Sequence, residues 1–224
     1  MSSTRTLFVG VALASLVLGG CTSKITQKEQ YSGFLPDYNS LQEVTTPSGG
    51  KAMRWVSPSW NANAYTTVVF KQLELYPAPQ PNERVNRQTL DQLQAYMSDN
   101  AKNVLSQKYR VVSTFEPTVA PSQILVLRAA ITGVTAFNEG MKWYEVLPVA
   151  AAIGATEAAT GHRDQDTELY IEGELIDASS GQTMAKVVRK LLGEQVRNAS
   201  QPITANNFKA AIKDMTNDMQ LFYK

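Results

Sequence analysis

Apolar and polar residues alternate along several stretches of the chain, and alternation of this kind predicts β-strands. The predicted strands are residues 52–56, 64–76, 110–114, 122–137, 167–177 and 182–192. The last two form a hairpin, because the three-residue loop between them ends in Gly181, which suits a left-handed turn position. This register sets Glu174 opposite Lys186 and places Glu168, Glu172 and Glu174 on one solvent-facing side of the sheet.

The apolar residues recur at steps of three and four in other stretches, which predicts helices. One begins near Asn86 and ends near Tyr109, and another follows an N-cap at Asn206 or Asn207. Residues 146–160 are rich in small side chains and predict a third, buried helix. The elements together predict an α+β fold, with a mixed, largely antiparallel sheet of about 4–5 strands packed mainly on one face by about three helices.

Composition sets the domain count and excludes one class of partner. The chain has 224 residues, of which 43% are apolar, with 21 basic and 20 acidic side chains. Nucleic acid is not expected as a partner, because phosphate backbones are bound through a surplus of lysine and arginine. Residues 31–224 are predicted to form a single domain, in which residues 31–50 are an N-terminal arm.

The N-terminal residues have the pattern of a secretory signal, with one positive charge followed by a short apolar run. The sequence Leu18-Gly-Gly-Cys21 that closes the run resembles the lipobox of bacterial lipoproteins. The resemblance implies that residues 1–20 are removed and that Cys21, the only cysteine, carries a covalent lipid. Two or three acyl chains on Cys21 would be a lasting membrane anchor.

The residues after Cys21 indicate where the anchored domain lies. Thr22 stands where inner-membrane lipoproteins of enteric-type bacteria have aspartate, so the outer membrane is expected, with the domain facing the periplasm. Residues 21–30 are polar and are expected to be a flexible tether. Residues 31–41 contain several large apolar side chains and are expected to pack on the domain.

The run Ser32-Gly-Phe-Leu-Pro-Asp-Tyr38 is similar to the opening signature of the bacterial lipoproteins catalogued as domain of unknown function 3313. Residues 174–182, with Asp177 before a glycine turn, resemble a hairpin that these proteins share. The resemblance covers residues 31–220 and implies an anchored periplasmic α/β domain, without an established reaction. The element order is also similar to that of the curli secretion lipoprotein and of the lipoprotein activators of peptidoglycan synthases.

No group of residues has the pattern of an active site. His162 shares residues 162–166 with an arginine and two aspartates, but a serine-type triad needs a marked nucleophile and zinc needs further ligands. The row of glutamates suggests glycoside hydrolysis, yet alternation on a solvent-facing strand produces such a row by itself. A protein that is not an enzyme, with no cofactor beyond the lipid on Cys21, is therefore expected.

The preferred interpretation is an accessory protein that binds an envelope protein or glycan. The candidate binding residues are Phe34, Leu35, Asp37, Tyr38, Trp55 and Trp60. One alternative is a homo-oligomeric envelope assembly or export subunit, with self-contact through the small residues of the 146–160 helix. The other is a small-ligand carrier, or a hydrolase, centred on Trp55, Trp60, Trp143 and the 162–166 loop.

Overall fold

The computed structural model describes residues 24–115, 118–138, 165–198 and 200–223. Eight strands in this part of the chain form one sheet: β1 (Gln42–Thr45), β2 (Lys51–Val56), β3 (Thr67–Val69), β4 (Glu74–Leu75), β5 (Arg110–Val112), β6 (Ile124–Asn138), β7 (Gln165–Asp177) and β8 (Thr183–Leu192). Their order across the sheet is β1-β2-β8-β7-β6-β3-β5, and β4 also pairs with β6. Cys21, the predicted 146–160 helix, Trp143 and His162 lie outside the described residues.

The sheet is mixed, as expected. Strands β1, β2, β8, β7 and β6 are antiparallel neighbours, whereas β3 is parallel to β5 and β6, and β4 is parallel to β6. The expected number of about 4–5 strands is wrong, because the sheet has eight. Strand β1 gave no signal in the sequence, since it is four residues long and largely exposed.

The predicted single strand over residues 64–76 is also wrong. The structure has two short strands, β3 and β4, with the chain leaving the sheet between them. The amide N–H of Leu73 donates to the hydroxyl of Ser98 at 3.0 Å, and its carbonyl accepts from the Gln94 side chain at 2.8 Å. Side chains of the following helix thus satisfy the backbone where a neighbouring strand would otherwise be needed.

Two α-helices are present among the described residues, α1 (Arg87–Leu105) and α2 (Lys209–Phe222). The side chain of Asn86 caps α1 by accepting the amide N–H of Thr89 at 2.8 Å. A 3-10 turn over Ala205–Phe208 leads into α2. Both helices pack on the same face of the sheet, over a core that includes Leu93, Leu169 and Phe208.

The β7–β8 hairpin has the predicted register. Glu174 lies opposite Lys186, and Gly181 has a φ of 70° in the connecting turn. The pairing of β6 with β7 shifts between Ile131 and Gly133, which marks a β-bulge in β6. Successive residues of β7 therefore point alternately towards the helices and towards the opposite face of the sheet.

Candidate functional site

The N-terminal arm comprises residues 24–41, because Gln42–Thr45 of the predicted 31–50 arm form β1. It covers the face of the sheet opposite the helices. The glutamates of β7 lie beneath it, and the prediction that they face solvent is wrong. Glu168, Glu172 and Glu174 are only 2%, 1% and 2% exposed. Alternation placed them on one face correctly, but a segment about 140 residues earlier in the chain covers that face.

Glu172 is held by the arm itself. Its carboxylate accepts the amide N–H of Ser32 at 2.8 Å and the hydroxyl of Tyr38 at 2.6 Å. Burial and this hydrogen bond to a carboxylate raise the pKa of Tyr38 to about 12. The Tyr38 ring is also stacked on Tyr31, with ring centres 4.5 Å apart. The arm thus provides the partners that a buried carboxylate requires.

The other charged groups on this face are paired. Glu174 bonds to Arg128 at 2.7 Å and Glu168 to Lys190 at 2.8 Å. Lys186, which is 6% exposed, bonds to Asp37 of the arm at 2.7 Å. The hydrogen bond from Lys186 holds the pKa of Asp37 below its usual value. Each glutamate of the row therefore has a fixed structural partner.

Two of the six candidate binding residues are inaccessible. Phe34 and Leu35 are 5% and 3% exposed and pack against Ala130 and Val188. The guanidinium of Arg128 lies over the Phe34 ring, 5.0 Å from its centre. The large apolar side chains that suggested a binding surface instead attach the arm to its own sheet.

The remaining candidates do not form one surface either. Asp37 and Tyr38 face the sheet groups described above, and Trp55 lies beside Lys186 at 5.3 Å. Trp60 belongs to the helical side, where its ring is stacked on Phe222 at 5.5 Å. The structure thus separates Trp60 from the other five.

The arm begins earlier in the chain than expected. Thr26 is 4% exposed, and Lys28–Gln30 form a 3-10 turn. The side chain of Gln30 donates to the hydroxyl of Tyr170 at 2.7 Å. Residues 26–30, predicted to belong to a flexible tether, are therefore part of the arm.

A cavity of about 180 Å³ lies between the helical face of the sheet and the two helices. Small residues form part of its floor, because Ala129 lies opposite Gly173 in the β6–β7 register, and Ala185 of β8 lies opposite Leu175. Methionines from both helices form the opposite wall: Met97, Met215 and Met219. The gap above these small residues, beside Leu127, Ile171 and Leu175, is space that the helices do not fill.

Charged groups line one side of this cavity. Arg189 and Asp218 form an ion pair at 2.7 Å, with side chains 8% and 7% exposed. Burial alone would raise the pKa of Asp218, but hydrogen bonds from Ser48, together with Arg189, hold it below its usual value. Arg54 of β2 also lines the cavity, is half-buried, and lies over the Phe222 ring at 5.6 Å. The cavity is thus apolar inside, with arginines at its edge.

In residues 24–115, 118–138, 165–198 and 200–223, no three histidine, cysteine, aspartate or glutamate side chains are grouped so that they could hold a metal ion. Within the same ranges, no helix has the length and apolar character needed to cross a membrane.

The family signature now has a structural context, and sequence comparison agrees with it. A sequence model of the family described as Protein of unknown function (DUF3313) matches residues 30–219, so the chain belongs to that family. It is 40% identical over 222 residues to the uncharacterized lipoprotein YdcL of Escherichia coli strain K12, covering 99% of this chain and 98% of that protein. The predicted family is confirmed, and the relative supports a lipoprotein of unknown function.

Solved structures show only distant similarity. The hypothetical protein CT253 from Chlamydia trachomatis has 10% identity and a TM-score of 0.39, over 71% of this chain and 98% of that chain. The PelC dodecamer from Paraburkholderia phytofirmans has 11% identity and a TM-score of 0.36, over 75% of this chain and 97% of that chain. These scores support no inference about function or assembly.

Proposed function

We propose that this protein is an outer-membrane lipoprotein, anchored by acyl chains on Cys21 with its domain in the periplasm, and that it binds an apolar ligand. The observation that carries the binding role is the apolar cavity between the sheet and the helices. Among the functions expected from the sequence, this favours a small-ligand carrier, although neither Trp55 nor Trp60, on which that expectation was centred, lines the cavity. Binding of a partner through the arm loses support, because Phe34 and Leu35 are buried.

The lining suits an apolar ligand with a narrow chain or ring. An engineered cavity of about 150 Å³ in another protein binds benzene, and the cavity here is of similar volume, about 180 Å³. Methionine side chains are unbranched and polarizable, so they adapt to ligands of different shape. Two helices contribute such side chains, and the sheet contributes alanine and glycine beside Leu127, Ile171 and Leu175.

A role without catalysis is part of the proposal. The acidic row that suggested glycoside hydrolysis is covered by the arm, and its members bond to Arg128, Lys190, Ser32 and Tyr38. A general acid and a nucleophile must both reach a substrate, which these buried and paired groups do not. The lipid on Cys21 is the only attached group that the proposal requires.

The binding role is tested with N-phenyl-1-naphthylamine, a neutral apolar fluorophore, and the mature chain carrying Cys21→Ser so that no acyl chain is present. We expect saturable binding that Ala129→Leu weakens at least tenfold, because the added side chain occupies the cavity floor. Ala95→Leu is the matched control, since Ala95 lies on the exposed side of α1. Equal binding by both variants would contradict a role for this cavity.

The location is tested separately in cells. Labelled palmitate should be incorporated into the wild-type protein and not into Cys21→Ser, and the labelled protein should sediment with outer-membrane fractions. Recovery of the labelled protein in the inner membrane would reject the outer-membrane part of the proposal. It would leave ligand binding by the cavity untouched.

A further inference from the structure

Among the residues that the structure describes, most of the lysine and arginine side chains of the sheet are paired with a carboxylate, but Arg54 is not. Lys51, Arg128, Lys186, Arg189 and Lys190 each bond to a carboxylate within 3.0 Å. Arg54 bonds to no carboxylate in the described part of the chain, and its guanidinium lies over the Phe222 ring, 5.6 Å from the ring centre. A half-buried guanidinium at the edge of an apolar cavity is thus left available to an anion.

A second arginine at the same edge has an unused donor. Arg189 is 7% exposed and uses its Nη2 atom to bond with Asp218. Its Nε atom is buried and has no hydrogen-bond partner. Buried donors of this kind are uncommon in native structures, and each one calls for a specific explanation. Arg54 and Arg189 both line the cavity, so two guanidinium groups border the same apolar space.

We propose that the cavity binds a single-chain amphiphile with an anionic headgroup, whose chain lies among the methionines and whose headgroup pairs with Arg54. The proposal rests on the proposed function, and it adds the chemical class of the ligand. Charge complementarity favours a separate molecule over the protein's own lipid, since the diacylglycerol expected on Cys21 carries no anionic headgroup.

The position of Arg54 agrees with this orientation. The cavity is lined by Val44 of β1, Thr46 of the following turn and Arg54 of β2. All three residues are partly exposed. Met97 and Leu73 line it from the interior and are 1% and 3% exposed. A chain that enters past Arg54 would therefore leave its headgroup at the solvent-accessible edge and place its apolar end in the interior.

The test compares decanoate with decanol, which share one chain and differ in headgroup charge. Affinities are measured by isothermal titration on the Cys21→Ser mature chain, with Arg54→Met as the variant and Lys51→Met as the matched control. Lys51 lies on the same strand, and its carboxylate partner is Glu43. We expect decanoate to bind about tenfold tighter than decanol, an advantage lost in Arg54→Met and kept in Lys51→Met.

The outcomes separate this inference from the proposed function. If both amphiphiles bind equally to the wild-type chain and Ala129→Leu blocks both, the cavity binds apolar ligands but the anionic headgroup is rejected. If Arg54→Met weakens both amphiphiles equally, Arg54 acts through its packing on Phe222 and the inference is again rejected. If neither amphiphile binds and the neutral fluorophore also fails, the proposed function itself is wrong.

An experiment on the acylated protein shows whether the cavity holds a separate amphiphile or the protein's own acyl chains. The same titration is made on the wild-type lipoprotein held in a lipid nanodisc. Unchanged decanoate binding supports a separate ligand, because the protein's own acyl chains then do not compete for the cavity. Decanoate binding that appears only in the Cys21→Ser chain would show that these acyl chains occupy the cavity, and it would overturn the proposal.

Discussion

The hydroxyl of Tyr38 donates a hydrogen bond of 2.6 Å to Glu172, which lies 134 residues later in the chain. The same oxygen accepts the amide N–H of Gly33 at 2.7 Å, and Gly33 has a φ of 85° that suits glycine. The two ends of the family signature therefore meet at one atom above a buried carboxylate. The signature residues therefore attach the arm to the sheet.

Removal of the Tyr38 hydroxyl should lower the stability of the domain. Tyr38→Phe leaves the Glu172 carboxylate with one fewer donor, and we expect the free energy of unfolding to fall by about 2 kcal/mol. Urea denaturation followed by far-ultraviolet circular dichroism measures the change. Tyr76→Phe is the control, because the Tyr76 ring packs on Phe34 while its hydroxyl bonds to nothing among the described residues. Equal losses in the two variants would contradict this account.

Acid should release the arm through Asp37. Its pKa is lowered in the folded state, so the unfolded chain takes up the proton first as the pH falls. The stability that Asp37 contributes is thus present above about pH 4 and lost below it. Amide exchange measured by mass spectrometry should show faster exchange in residues 32–38 below this pH.

The variant Asp37→Asn tests the contribution of this one carboxylate. It should exchange rapidly in the arm already at pH 7, with a smaller further increase on acidification. Asp91→Asn makes the same change in an exposed ion pair of α1 and should leave the arm as in the wild type. An arm equally protected in Asp37→Asn and wild type at pH 7 would reject the role of Asp37.

The ion pair beside the cavity should be costly to break. Asp218→Asn leaves the Arg189 guanidinium buried without its counter-charge, and we expect a loss of about 3 kcal/mol in the free energy of unfolding. Asp214→Asn, one turn earlier on the exposed side of α2, should change it by less than about 0.5 kcal/mol. Thermal and urea unfolding of both variants measure the difference. Equal effects would show that the pair contributes no more than a surface charge.

A side chain at Gly193 should not be tolerated. A Cβ atom there would collide with the Thr167 hydroxyl and would lie 2.7 Å from the Phe208 ring, which is fully buried. We expect Gly193→Ala to lower the free energy of unfolding by about 2 kcal/mol, the usual range for overpacking. The double variant with Phe208→Leu should lose less than the sum of the two single losses, because the smaller side chain relieves the contact. Simple additivity would place the cause elsewhere.

Local pattern predicted the parts of the fold that depend on neighbouring residues. The β7–β8 register and helix α1 follow from alternation, turn chemistry and helical period. The exposure of Glu172 could not be predicted in the same way, because the arm that covers it is distant in sequence. The break after β3 has a similar cause, since the bonds to Leu73 come from side chains of α1.

The cavity was beyond the reach of sequence patterns for a different reason. Gly173 could be placed on the apolar face of β7 by alternation, but nothing in the pattern shows that Ala129 is its neighbour across the sheet. The cavity exists because small residues from three strands coincide beneath three methionines. Each of these residues is ordinary when considered alone, and only the strand register and the helix packing bring them together.

The early start of the arm has a consequence for how far the domain stands from its anchor. Thr26, which is buried on the sheet, is five residues after Cys21. At about 3.4 Å per extended residue, the span between them is at most about 17 Å. With acyl chains on Cys21, the domain would stay against the membrane surface, and a ligand would be exchanged there instead of being carried across the periplasm.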